Sequence, residues 1–125
     1  MLIPHLHFRG TCKEAIDLYE KAFNTKVVSL IKDTGDTGED LISHAVMFIH
    51  GQKVFLNDRF GNKDNNTDVA VHMIVTFRTA YELRTVYRIL GEGSTTIDPM
   101  MKLPYSELAV QFIDRFGVQW GLKVE

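Results

Sequence analysis

The chain has 125 residues, enough for one domain or two small halves, and at that length a core needs no covalent staples. Hydrophobic residues make up 45%, charged residues 24%, and the net charge is −2, which excludes a disordered chain and argues against nucleic acid or an anionic membrane surface as partner. A single cysteine, Cys12, excludes an internal disulfide and a cysteine-based zinc cluster, and it fits a reducing compartment.

In chain order, Ile3-Pro4-His5-Leu6-His7-Phe8 alternates as a strand should, so residues 2–9 are expected as β-structure. Pro4, Leu6 and Phe8 share one face, which leaves Ile3, His5 and His7 on the other. Thr11-Cys12-Lys13-Glu14 has the capping-box pattern, and Ala15, Ile16, Tyr19, Ala22 and Phe23 form an apolar stripe at helical spacing, so a helix is expected over 12–23. Strands are expected over 26–33, 42–50 and 52–58, with a hairpin loop over Asp33 to Asp40. That loop fails the calcium-loop pattern, because Gly35 stands where a ligand is needed.

The same order then returns. A strand is expected over 69–77, with His72, Ile74 and Thr76 on the face away from Val71, Met73, Val75 and Phe77. A second capping box, Thr79-Ala80-Tyr81-Glu82, starts a helix over 80–91, and strands follow over 95–103, 107–113 and 118–124. Thr11 matches Thr79, Glu14 matches Glu82 and Tyr19 matches Tyr87 at one offset, and His5 matches His72 with one residue's difference. Ala45 to Ile49 is matched to Ala109 to Ile113, and Val54-Phe55-Leu56 to Trp120-Gly121-Leu122. The expectation is a single α+β domain of two repeated βαβββ modules, 1–60 and 68–125, joined by a linker over 58–68 that is rich in Asn, Asp and Gly.

Other chemistry finds little support. Cys12 sits at a helix start, where a thiol can be activated, but no resolving cysteine exists and structural filling is the better reading. There is no G-x-S-x-G, and Gly91-Glu92-Gly93-Ser94 follows a helix instead of preceding one, so it does not read as a phosphate loop. No leader pattern or membrane-length apolar run is visible, and the expected location is the cytoplasm.

Pro4, Leu6, Phe8, Gly10, Glu14-Ala15 and Tyr19, with Asp114-Arg115-Phe116-Gly117-Val118-Gln119-Trp120 near the other end, resemble the PhnB-like branch of the vicinal-oxygen-chelate superfamily. That superfamily includes glyoxalase I, bleomycin-resistance proteins and extradiol dioxygenases. The chain departs from the branch at Tyr105 and Ser106, where a Trp-Gly pair is usual. The resemblance implies paired modules forming a cupped mixed sheet with helices outside, and a homodimer. It also implies a metal held by residues of the first and fourth strands of each module. Here the first-strand positions are His5 and His72, and the fourth-strand positions are Phe55 and Gly121, neither of which can ligate. No cofactor is therefore expected. A divalent metal (zinc, nickel, manganese or iron) would rest on His5 and His72, with His44 as a further candidate.

The leading functional expectation is a small-molecule-binding protein of the glyoxalase/bleomycin-resistance type without a complete catalytic metal site. Its cavity would be lined by His5, His7, His72, Asn57 and Gln111. Two alternatives stand beside it: a metal-dependent lyase, isomerase or dioxygenase, and an interaction or scaffold protein whose cup is filled by side chains. For the histidines themselves, structural hydrogen bonding is the competing reading.

Overall fold

A computed structural model describes residues 1–33, 41–58 and 71–125. The element order is β1 (His5–Phe8), α1 (Cys12–Phe23), β2 (Val27–Asp33), β3 (Leu41–Ile49), β4 (Gln52–Asp58), β5 (Met73–Phe77), α2 (Ala80–Leu90), β6 (Thr95–Leu103), β7 (Ser106–Ile113) and β8 (Gln119–Val124). All eight strands and both helices lie within or close to their expected ranges. Residues 34–40 of the expected hairpin loop lie outside the described residues. So does the expected linker beyond Asp58, which closes β4.

The chain divides into two compact units, Met1–Asp64 and Asn65–Glu125. In the first, the sheet order is β1-β4-β3-β2: an antiparallel meander of β2, β3 and β4, with β1 added parallel to β4. The second repeats the plan as β5-β8-β7-β6. Each unit is a βαβββ module with one helix packed on one face of its sheet.

The cores follow from the periodicities. Helix α1 buries Cys12, Ala15, Ile16, Leu18, Tyr19 and Ala22 against Ala45, Met47, Val54 and Leu56 of the sheet. In the second unit Leu83 and Leu90 of α2 are buried with Val75, Val110, Phe112, Trp120 and Leu122. Tyr87 stands edge-on to Phe112 at 5.1 Å between ring centroids. Alternate residues on each strand therefore face the other way, and that second face is where the candidate site residues lie.

The helix starts differ between modules. Thr79 behaves as expected: its hydroxyl accepts from the Glu82 N–H at 3.2 Å. Thr11 makes no side-chain cap. Its place is taken by Asp58 at the end of β4, whose Oδ1 accepts from the Gly10 and Cys12 N–H groups at 2.8 and 3.0 Å. Asp58 Oδ2 accepts from the Ile42 N–H at 2.9 Å, so one carboxylate with 4% exposure ties together the helix start, β3 and β4.

The two β-hairpin turns next to the last strands also differ. His50 and Gly51 have φ of 51° and 83°, the two-residue turn in which both central residues are left-handed. The longer turn from β7 to β8 is built on Asp114, which is 3% exposed. Its Oδ1 accepts from the Phe116 and Val118 N–H groups and its Oδ2 from Trp120 Nε1, at 2.9 to 3.0 Å. The Asp-Arg-Phe-Gly-Val-Gln-Trp motif is thus a self-contained turn that anchors a fully buried indole.

Candidate functional site

The strand registers fix which side chains share the open face of each sheet. In the first module His5 pairs with Phe55, Phe55 with Val46 and Val46 with Ser29, making one row across the sheet. In the next row His7 pairs with Asn57, and His44 with Ile31. In the second module the corresponding row is Ile74, Gly121, Gln111 and Asp98.

This register corrects the repeat in two places. Met47 pairs with Val54 and Phe112 with Trp120, so β3 and β7 correspond one residue further along than Ala45 to Ala109 would have them. The burial pattern agrees: Ala45 is buried on the helix side, whereas Ala109 is half-buried on the open side. The partner of Gly121 on the first strand is Ile74, so Ile74 and not His72 is the counterpart of His5. His72 lies two residues ahead, before β5 begins. A one-residue slip changes the face of every side chain, and a capping box cannot detect it.

The expected site residues therefore fall into two groups. His5, His7, Asn57 and also His44 gather on the first sheet. His7 Nδ1 and Asn57 Oδ1 are 2.6 Å apart, and His44 stands edge-on to Phe55 at 4.9 Å. Gln111 and His72 meet at Gly121 in the second module. A Cβ placed on Gly121 would touch Ile74 Cγ1 at 3.6 Å, and Gln111 Cγ and His72 Cδ2 each at 3.7 Å.

A cavity of about 350 Å³ opens on that second sheet. Ile74, Met101, Leu103 and Tyr105 give it apolar walls, while Asp98, Gln111 and Lys123 bring polar groups. Lys123 Nζ lies 5.9 Å from the centre of the Tyr105 ring. Gln111 was expected here; Asp98, Lys123 and Tyr105 were not. Lys123 was legible in principle, because it lies two residues beyond Gly121 and shares its face. Asp98 was not, because β6 carries Pro99 and three register shifts against β7, which erase any alternation.

Cys12 is fully buried, and burial pushes its thiol up to about 12 from an ordinary value near 9, with Asp58 and Glu14 adding to the effect. It is the opposite of an activated thiol. For metals, the paired first- and fourth-strand positions are His5 with Phe55 and Ile74 with Gly121, one imidazole among four residues. Among the described residues no three His, Cys, Asp or Glu side chains are arranged to hold an ion. No described helix is long and apolar enough to cross a membrane.

No protein-family model matches the chain, and no curated protein matches it. Solved structures do. A PhnB protein from Bacillus cereus, bearing a 3-demethylubiquinone-9 3-methyltransferase label, is 25% identical with a TM-score of 0.90, over 99% of this chain and 98% of its own. A glyoxylase/bleomycin resistance protein/dioxygenase domain from Frankia is 17% identical with a TM-score of 0.72, over 99% and 90%. The fosfomycin resistance protein FosX from Listeria monocytogenes, complexed with Mn(II) and a dihydroxypropylphosphonic acid, is 12% identical with a TM-score of 0.70, over 98% and 90%. With its two βαβββ modules and its front and back motifs, the chain has the fold of these structures and is similar to the PhnB-like branch of the vicinal-oxygen-chelate superfamily.

Proposed function

We propose that the protein binds a small organic molecule on the open sheet faces, without a complete catalytic metal site. The observation that carries this reading is the cavity around Gly121. Its volume of about 350 Å³ falls within the range of roughly 300–1,000 Å³ typical of ligand pockets. Apolar walls with a few convergent polar groups are the usual composition of such a pocket, and Gln111, Asp98 and Lys123 supply those groups here. An open pocket also weighs against a scaffold role with a side-chain-filled cup.

The donor set supports the metal-free part of the reading. Mononuclear catalytic sites keep about three protein ligands, and Phe55, Ile74 and Gly121 offer no donor atom beside His5. A mutant of FosX holds Mn(II) on the same fold, but among the described residues of this chain no three His, Cys, Asp or Glu side chains are arranged to hold such an ion.

The test uses Gly121, because the space around it accepts a methyl group at ordinary contact distance but a larger side chain would enter the cavity. A fragment collection is screened by thermal shift against wild type, Gly121→Ala and Gly121→Leu. Fragments that stabilise wild type and Gly121→Ala but not Gly121→Leu are the expected result. Stabilisation that survives unchanged in Gly121→Leu would move the binding site elsewhere.

A further inference from the structure

The open face of the first module's sheet carries a cluster that the Gly121 cavity does not use. His5 and His7 have ring centroids 4.3 Å apart with planes tilted by 37°. His5 and His44 both stand edge-on to Phe55, at 5.8 and 4.9 Å, and are 6.2 Å from each other. Lys53 Nζ lies 5.8 Å from the Phe55 centroid. The rings of His5, His44 and Phe55 therefore meet with one ammonium around a single strand position, and His7 lies against His5.

The polar contacts have a consistent sense. With His7 Nδ1–H donating to Asn57 Oδ1 at 2.6 Å, the Asn57 amide nitrogen is left as a donor for something else. No carboxylate occurs in the two rows that hold the rings, which contain Ser29, Val46 and Ile31 besides the residues named above. Such a face offers flat contact area and hydrogen-bond donors, with a lysine alongside and no acid in those rows to repel an anion.

We propose that this face binds a planar organic anion of the aromatic carboxylate class. The rings around Phe55 supply the stacking surface, and Lys53 with the Asn57 amide supplies charge and donors for the carboxylate. This goes beyond the pocket reading and rests on different residues, so either can fail alone.

The probe is benzoate, titrated into the protein at neutral pH while the imidazole NMR signals of His5, His7 and His44 are followed. Benzamide keeps the shape without the charge, and cyclohexanecarboxylate keeps the charge without the planarity. The expected result is movement of the three histidine signals by benzoate, with both controls binding about tenfold more weakly. Lys53→Met and Phe55→Leu should each weaken benzoate by about tenfold, with melting temperatures near that of wild type to show that the fold is intact. Histidine signals that stay still at saturating benzoate would overturn the proposal. So would a control that binds as tightly as benzoate, or substitutions that leave its affinity unchanged.

Discussion

Two buried carboxylates do structural work that a functional reading would be tempted to claim. Asp58 and Asp114 each satisfy three N–H donors, and neither lines the cavity. Asp58→Asn would turn an NH₂ toward backbone donors and strand at least one of them; the expected cost is about 3 kcal/mol in urea unfolding. A change under about 0.5 kcal/mol would mean that the helix start does not depend on it. Cys12 makes a pH-dependent prediction. The folded protein holds its thiol proton up to about pH 12, whereas the unfolded chain releases it near pH 9. The stabilising contribution is complete below pH 9 and is lost as pH rises toward 12. The stability advantage of wild type over Cys12→Ala should therefore shrink between those limits, and a constant gap in urea midpoints would contradict it.

At the scale of elements, alternation and helical spacing made both helices and the strands with a buried face readable, whereas β2 and β6 are largely exposed and carry no such pattern. Faces were less readable than elements. The repeat matched Ala45 with Ala109 by residue type, yet the one is core and the other open face. His72 was matched with His5 for the same reason, although Ile74 holds the equivalent register. In β6 the bulges around Pro99 hid Asp98 altogether. The helix starts give a clean contrast between two identical sequence signals. Thr79→Ala should cost about 1 kcal/mol, and Thr11→Ala should stay within about 0.5 kcal/mol, because Asp58 already caps α1. Equal losses in a denaturant titration would show that the Thr11 hydroxyl caps after all.

For the whole molecule, the motifs that carry the resemblance are the ones that build the fold. Gly10 and Gly117 hold φ of 89° and 95°, Phe8 and Tyr19 pack in the first core, and Asp114 anchors Trp120. None of these residues lies in the cavity. These motifs therefore build two modules with two open faces and leave the chemistry of those faces to other residues, which is why the resemblance is more readable in the sequence than the ligand. Pairing of two chains as a homodimer belongs with the proposals: each sheet leaves two edge strands, and those of β2 and β6 are largely exposed. Sedimentation should give twice the chain mass, and a monomer at micromolar concentration would contradict it.

Calorimetry on the best-stabilising fragment tests whether the protein binds it without a metal. The titration is run on chelator-treated protein and repeated with manganese, zinc, nickel and ferrous iron. The expected affinity is unchanged across all five conditions and lost in Gly121→Leu. Binding that appears only when one of those ions is present would contradict it, and would mean that His5, His72 or His44 recruits a ligand set that the strand registers do not provide.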